Sequence, residues 1–374
     1  MNHVTTTATN LNESPAETTG KPVPSSLANG GGSTVAPAIS AREPASANRA
    51  ARRKMQEIYA PIAPAIAMVE RRIAGELQSP FEQVAEVLRH GTQLGGKRLR
   101  PALMLLAAEA TGGWTDDHIT LGAVIELVHT ATLVHDDVLD EADTRRHVET
   151  INARFDRDTA ILLGDFLFAR SYRLAASLPT PDAARSIAEA AERVCLGELR
   201  QVIERNVLEL DEDTYIDLIR GKTAELCRAA CELGVRHAGG SDRFVRELGE
   251  YGDSLGIAFQ IADDYLDLWG DDGRVGKTLG TDLAQGKTTL PIIRLYQTAN
   301  DDVRAAMHAI MRMPPSERTE PILERLEASD AKRYTAEVAR TYRDRALAAL
   351  RTLPSGSARE SLEAIAYFAV DRSF

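Results

Sequence analysis

The pattern Asp-Asp-x-x-Asp occurs twice in this chain, and each copy lies inside an apolar stretch with helical spacing. The two copies are residues 136–140 and 263–267. Carboxylates in such helices must face either a cavity or the packed core, and burying unpaired carboxylates in a core is costly. The pattern therefore favours a fold in which both helices border a cavity.

Helical periodicity extends over almost all of the chain from about residue 50 onward, with breaks at glycine and proline and no convincing β alternation. The two acidic helices occupy comparable places in the two halves of this array. We therefore predict an all-α fold, a single large helical bundle around a central cavity. The helices are expected near residues 51–76, 80–90, 99–111, 117–140, 155–177, 182–206, 211–234, 241–268, 288–299, 301–311, 319–329, 331–351 and 357–370.

Residues 1–48 have a different composition, rich in threonine, serine, alanine, proline, asparagine and glycine, and no aromatic residue precedes Tyr59. Such a segment cannot bury enough apolar surface to offset the conformational entropy that it loses on ordering. We therefore predict a disordered low-complexity tail over residues 1–48 and one all-α domain over residues 49–374.

The formal net charge of −11 belongs to the predicted domain, because acidic and basic side chains balance over residues 1–50. This acidity argues against general affinity for nucleic acid, so an anionic substrate would need local basic clusters and metal. The three cysteines are too few for a disulfide framework and fit a reducing cytoplasm. No apolar run is long enough to span a membrane, so we expect a soluble cytoplasmic protein with at most peripheral membrane contact during product release.

Each acidic motif places two carboxylates four residues apart, on the same face of a helix. Asp136 pairs in this way with Asp140, and Asp263 with Asp267. A single copy is more often a solvated acidic face than a metal site, but the apolar flanks of both copies favour metal. Mg2+ takes only one or two carboxylates and completes its octahedron with water and phosphate oxygens. Two such clusters suit a diphosphate bridged by several Mg2+ ions.

Basic residues gather at three places in the sequence. The first is Gly95-Gly96-Lys97-Arg98-Leu99-Arg100-Pro101, a turn that enters a helix, where backbone N–H groups and arginine suit a diphosphate. The second is Arg145-Arg146, just beyond the first acidic motif, and the third consists of Lys222-Thr223, Lys277 and Lys287. The glycine-rich segment 270–289 resembles a mobile lid over phosphates, although a solvated loop has a similar composition. It is not a P-loop, because neither of its lysines follows GxxxxG.

In combination these motifs resemble those of the trans-isoprenyl diphosphate synthases, the polyprenyl synthetase family, and most of all its long-chain, octaprenyl-type members. The resemblance covers residues 55–374. It rests on GGKRLRP at 95–101, HxxxLxHDDxxDxxxxRR at 129–146, GKT at 221–223, FQxxDDxLD at 259–267 and GKTLGTDLxxGKTTLP at 276–291.

The resemblance also implies the roles of individual residues. The ligands of Mg2+ would be Asp136, Asp137, Asp140, Asp263, Asp264 and Asp267, some of them acting through water. The allylic diphosphate would be contacted by Arg145, Lys222, Thr223, Gln260, Lys277 and Lys287, and isopentenyl diphosphate by Lys97, Arg100, His129 and Arg146. The catalytic set would be Asp136, Asp137, Asp140, Asp263 and Asp264 with Lys222 and Lys277.

The implied reaction is ionisation of the allylic diphosphate, attack by the isopentenyl double bond, and loss of a proton. Cations and metal would stabilise the departing pyrophosphate, which could itself accept the proton. Closure of the segment 270–289 would exclude water, because water traps the allylic cation.

Product length is expected to depend on residues one turn before the first aspartate. In the family, bulky aromatic residues four and five positions before that aspartate stop growth early, whereas this chain has Thr132 and Ala131. Thr132 and Val128 share a face close to that of Asp136, whereas Ala131 is rotated further round the helix. We therefore expect products of about C35–C50, with a C20 product as the alternative. Three aromatic residues on the next helix are candidates for blocking the growing product, namely Phe155, Phe166 and Phe168. Each is at least as compatible with an ordinary core position.

The sequence disfavours two rival classes of protein. A non-catalytic subunit of a heteromeric synthase usually has eroded aspartate motifs, whereas both motifs are intact here. A terpene cyclase would have a different second metal motif and more aromatic residues than the 5% found in this chain. The family resemblance also implies a homodimer.

Overall fold

Helices supply nearly all the regular structure in the computed structural model, which describes residues 53–93, 95–145, 148–270 and 280–371. The predicted all-α bundle is confirmed. The described residues belong to one compact unit. The tail predicted over 1–48 lies outside the described residues.

The first half of the bundle consists of α1 Ala63–Glu76, α2 Glu82–Gln93, α3 Leu99–Thr111, α4 Asp116–Leu139, α5 Ile151–Arg154, α6 Arg157–Ala175 and α7 Pro181–Ile203. The second half consists of α8 Glu212–Ile219, α9 Glu225–His237, α10 Asp242–Trp269, α11 Thr281–Ala284, α12 Leu290–Thr298, α13 Asp301–Met311, α14 Thr319–Glu327, α15 Ala331–Ala349 and α16 Ser357–Asp371. Each acidic motif lies at the C-terminal end of a long helix, the first on α4 and the second on α10.

Side-chain caps explain several helix starts. The Asp156 and Asp211 carboxylates accept hydrogen bonds from the backbone N–H groups of Thr159 and Thr214, at 2.6 and 2.7 Å. These bonds satisfy donors that a first helical turn cannot pair internally. The sequence pattern therefore fixes the beginnings of α6 and α8 locally.

The helix predicted over 51–76 is interrupted, because a 3-10 turn at Ala60–Ile62 separates α1 from the helical residues before it. Pro61 explains the interruption, since it has no backbone N–H to donate. A short hairpin that the sequence did not predict pairs Thr144–Arg145 with Val148–Glu149.

The helix predicted over 211–234 contains a π-helical turn at Arg220–Ala224, between α8 and α9. This turn packs closely on α7, where a Cβ on Gly197 would lie 2.8 Å from the backbone nitrogen of Lys222. Only glycine leaves room for that approach. Single π turns inside α-helices occur often at functional sites.

The main hydrophobic core joins α3, α4, α9 and α10 around fully buried side chains such as Leu103, Leu127 and Tyr251. The Tyr251 hydroxyl is satisfied by donation to the carbonyl of Leu362 on α16, at 2.8 Å. A second core, with Met307 and Ile322 at its centre, forms between α12, α13 and α14. In the described part of the chain, no helix combines the length and apolarity needed to cross a bilayer.

Candidate active site

The first acidic motif closes α4. Asp136 and Asp137 lie in its last turn, and Asp140 is the C-cap residue, whose N–H donates to the Asp136 carbonyl at 2.8 Å. Successive residues are rotated by about 100° on a helix, so the first two aspartates diverge. Asp136 and Asp140 are half-buried, whereas Asp137 is only 1% exposed.

Asp137 is neutralised by Arg145 from the short hairpin. The Arg145 Nε donates to Oδ1 and Oδ2 of Asp137 at 2.9 and 3.1 Å, and Nη2 lies 2.8 Å from Oδ1. A fork of this kind is a strong, charge-assisted contact. Arg145 was predicted to contact an allylic diphosphate, but here its guanidinium contacts an aspartate of the first motif.

Lys222 lies in the π turn and faces Asp136. Its ammonium group lies 2.8 Å from the Glu198 carboxylate, 2.9 Å from Gln201 Oε1 and 3.6 Å from Asp136 Oδ2. Burial lowers the pKa of Lys222, but Asp136 and Glu198 more than offset this effect, so its pKa lies above the ordinary value. Burial and the nearby Asp136 raise the pKa of Glu198. The lysine is therefore a fixed cation beside the first motif.

Two further cations contact Asp140. Lys287 Nζ lies 3.0 Å from Oδ2 of Asp140, and Arg205 Nη2 lies 3.2 Å from Oδ1. Lys287 also lies 3.5 Å from Asp282 Oδ1. The backbone N–H of Asn206 donates to the Gly286 carbonyl at 2.7 Å, which ties the segment after α7 to the one before Lys287.

In the second motif, Asp264 is buried and hydrogen-bonded. The Tyr215 hydroxyl donates to Oδ2 at 2.6 Å, and Gln260 Nε2 donates to Oδ1 at 2.8 Å. Burial, with Asp282 adding to it, raises the pKa of Asp264 to about 8 despite these hydrogen bonds. The Thr223 hydroxyl donates to Gln260 Oε1 at 2.8 Å. Thr223 and Gln260, both predicted to contact a diphosphate, thus form a chain that ends on Asp264.

The outer aspartates of the second motif differ from Asp264. The Asp267 carboxylate accepts the backbone N–H groups of Thr281 and Asp282, at 3.2 and 3.1 Å, and so holds the start of α11. Asp263 is half-buried on α10. Among the described residues, no group of three or more His, Cys, Asp or Glu side chains is already arranged around a metal position.

A pocket lies between the second motif and the two lysines. Its lining includes Lys222, Gln260, Asp264, Asp282 and Lys287. The lining thus contains one aspartate of the second motif together with both lysines. A cavity that both acidic motifs share stays a prediction.

The glycine-rich turn 95–101 carries the other predicted substrate residues. Lys97 is exposed, with its Nζ 4.9 Å from the centre of the Phe368 ring on α16. Arg100 is half-buried, and its buried Nε has no hydrogen-bond partner in the described structure. His129 is half-buried on α4.

The residues predicted to set product length have different surroundings. Val128 and Ala131 are fully buried, at 0% exposure. Thr132 is half-buried, and its hydroxyl donates to the His129 carbonyl at 2.8 Å. Thr132 is therefore the member of the set that a growing chain could contact most directly. Arg146, Lys277 and residues 271–279 of the predicted lid lie outside the described residues.

Sequence reasoning missed several residues of this site, namely Glu198, Gln201, Arg205, Tyr215 and Asp282. Asp282 belongs to the quoted motif GKTLGTDLxxGKTTLP and could have been found there. Glu198, Gln201 and Tyr215 lie on helices whose sequences show only amphipathic spacing, and Arg205 lies in the turn after α7.

Comparison with known proteins shows what this arrangement resembles. The family model "Polyprenyl synthetase" matches residues 81–326. The octaprenyl diphosphate synthase of Escherichia coli is 35% identical over 308 residues, 82% of this chain and 95% of the relative. The heptaprenyl diphosphate synthase component 2 of Geobacillus stearothermophilus is 35% identical over 321 residues, 86% of this chain and 100% of the relative. A solved polyprenyl synthase from Caulobacter crescentus, complexed with calcium and isoprenyl diphosphate, is 33% identical with a TM-score of 0.80, covering 86% of this chain and 98% of that one.

Proposed function

Because the chain belongs to the polyprenyl synthetase family of prenyltransferases, we propose that it condenses isopentenyl diphosphate head-to-tail with an allylic diphosphate. The product that we propose is a long-chain all-trans polyprenyl diphosphate of about C35–C50. The observation that carries the proposal is the pairing of two lysines, Lys222 and Lys287, with the first and last aspartates of the first motif. We assign the catalysis to residues 49–374.

We propose Mg2+ as the cofactor, with Asp136, Asp140 and Asp263 as its ligands. The first two share a helix face, and hard carboxylate oxygens fit this cation. Asp137, Asp264 and Asp267 of the predicted set instead support the site in our proposal. Asp137 and Asp264 are buried and hydrogen-bonded to side chains, and Asp267 accepts two backbone N–H groups at the start of α11. Mg2+ ions, when bound, would neutralise negative charge on the diphosphate.

The lysines supply the protein's own electrostatic stabilisation. When the allylic carbon–oxygen bond breaks, both electrons leave with pyrophosphate, and Lys222 and Lys287 face the charge that develops there. Because Glu198 and Gln201 hold the Lys222 ammonium in place, little reorganisation is needed during the reaction. The isopentenyl double bond then attacks the allylic cation, and loss of a proton to pyrophosphate restores a double bond. No side chain has to act as the base.

Small side chains before the first motif favour a long product. Neither Ala131 nor Thr132 is aromatic, and Thr132 is partly exposed. The relatives named octaprenyl and heptaprenyl synthase agree with this proposal.

We also propose that the enzyme is a homodimer. Leu196, Leu199 and Ile203 on α7 are 56, 61 and 75% exposed and follow one another at helical spacing. Leu162 on α6 is 66% exposed. Apolar surface of this kind marks an interface, and a symmetric pairing of these helices would cover it.

We also propose a cytoplasmic location for the protein. All three cysteines are free, which agrees with a reducing compartment.

The test is an incubation of the full chain with labelled isopentenyl diphosphate, an allylic primer and Mg2+, followed by sizing of the products. We expect chains of C35 or longer, and no turnover after chelation of the metal. A predominant product of C20 or shorter would overturn the long-chain proposal, and no incorporation with any primer would overturn the enzymatic one.

A further inference from the structure

Arg98 has an unusual backbone conformation in the glycine-rich turn. Its φ and ψ are 54° and 37°, in the left-handed region, and it is the N-cap residue of α3. Its carbonyl accepts the first helical hydrogen bond, from Ala102 N–H at 3.0 Å. A residue with a Cβ stays in this region only where its surroundings hold it there.

The Arg98 side chain shows what holds it. Its Nη1 donates to Glu126 Oε1 at 2.8 Å, and its Nε lies 3.8 Å from Glu70 Oε1. The Glu126 side chain is only 3% exposed, so its charge requires a partner. Gly95 makes room for the guanidinium, because a Cβ there would collide with it.

Glu126 connects the turn to the active-site helix. It lies on α4, three residues before His129 and ten before Asp136. The ion pair therefore fixes the turn against the rigid element that carries the first acidic motif.

Arg98 itself is poorly placed to bind substrate, because its side chain is only 16% exposed and is committed to Glu126. Lys97 is exposed, and Arg100 is half-buried without an ion pair to a buried carboxylate such as the one that Arg98 makes with Glu126. A buried Nε without a hydrogen-bond partner in the described structure is common to Arg98 and Arg100. In this turn, Arg98 is therefore directed toward Glu126, whereas Lys97 and Arg100 can contact an anion.

We propose that Arg98 is a positioning residue, which acts through Glu126 to hold Lys97 and Arg100 in the geometry that binds isopentenyl diphosphate. This inference rests on the proposed function. Loss of the anchor weakens binding of isopentenyl diphosphate and leaves the allylic primer site unchanged, because Lys222 and Lys287 have separate partners.

The experiment compares R98M with the wild-type enzyme by steady-state kinetics for each substrate. We expect the KM for isopentenyl diphosphate to rise about tenfold, since displacement of binding groups by about 1 Å can cost as much as a hundredfold. The KM for the primer and kcat should change by less than about twofold. R98K, which keeps a cation beside Glu126, should restore much of the lost affinity.

R98M leaves the Glu126 charge buried without its main partner, so it could unfold the protein. The double variant R98M/E126Q removes that charge, and we expect it to fold and still to show the raised KM. R294M is the matched control, because it removes an arginine paired with Asp330 at 2.6 Å in the second half of the chain. Its KM for isopentenyl diphosphate should equal that of the wild type.

Calorimetric titration of isopentenyl diphosphate into each variant provides a second readout. An unchanged KM and Kd in R98M/E126Q would overturn the inference, as would an equal rise in the KM of both substrates. If the wild-type enzyme neither binds isopentenyl diphosphate nor turns it over, the proposed function fails first and the inference fails with it. A wild-type enzyme that is active beside an unaffected R98M/E126Q refutes the inference alone.

Discussion

Asp136 and Asp137 are neighbours in one motif, yet the structure predicts opposite consequences when each is replaced by alanine. Asp136 lies 3.6 Å from Lys222, which keeps Glu198 and Gln201 as closer partners if the aspartate is lost. Asp137 is buried, and its carboxylate is the charged partner of Arg145. We therefore propose that the first aspartate serves chemistry and that the second serves the fold.

The magnitudes follow from these contacts. Removing one partner of a buried ion pair costs about 3–5 kcal/mol, so D137A should lose about that much free energy of unfolding. Unfolding entropy for roughly 300 ordered residues is about 0.6 kcal/mol/K, which converts the loss into a melting temperature lower by about 5–8 °C. D136A should change stability by no more than about 1 kcal/mol, because its partner keeps other acceptors.

Turnover should rank the two variants the other way, with a larger loss in D136A than in D137A. Loss of a metal ligand removes charge stabilisation in the transition state, and we expect D136A to lose at least about 10²–10³ in kcat. D137A should keep activity within about tenfold of the wild type when assayed well below its melting temperature. D137N, whose amide oxygen can still accept from Arg145, should melt between D137A and the wild type.

The assays are melting followed by circular dichroism and product formation with Mg2+ and both substrates. The exposed Asp143 provides a control from the same region, and D143N should resemble the wild type in both measurements. The reasoning is refuted if D137A abolishes turnover at an unchanged melting temperature, or if D136A is the variant that melts early.

Three further substitutions test other parts of the site. T132F should shorten the products seen by mass spectrometry, because a ring would enter space beside α4; an unchanged product distribution would contradict the proposed effect of this position on product length. L199E places a charge on the exposed apolar stripe of α7 and should give a monomer in light scattering, whereas R185Q at the exposed start of the same helix should remain dimeric. Y215F should lower the free energy of unfolding by about 1.5–3 kcal/mol, because buried Asp264 loses a 2.6 Å hydrogen bond; equal urea midpoints for Y215F and wild type would refute this.

Helix positions were predictable because they depend on local information. The expected helix over 99–111 coincides with α3, and that over 241–268 differs from α10 by one residue at each end. Apolar spacing and caps act within a few residues, so the sequence contains them directly. The π turn was not predictable in this way, because its close packing against Gly197 involves a helix distant in the sequence.

The sequence predicts many of the charged residues of the candidate site, but not the partner of each side chain. Helix geometry alone could have separated Asp137 from Asp136, since adjacent residues point in different directions. The bond from Arg145 to Asp137 could not be read in the same way, because it depends on a hairpin with no sequence signal. Glu198 is 62 residues from Asp136 and has no motif of its own, so only the folded structure brings it to Lys222.

Charged side chains from the second half of the chain form ion pairs with aspartates of the first motif. Lys222 and Lys287 lie 86 and 147 residues beyond the aspartates that they face, Asp136 and Asp140. Each lysine is held by a second acidic residue, Glu198 or Asp282, so its position does not depend on the motif alone. An acidic motif on a helix end therefore has no defined chemistry by itself. Its chemistry depends on cations from the other half of the chain, and the fold of the whole bundle determines where those cations lie.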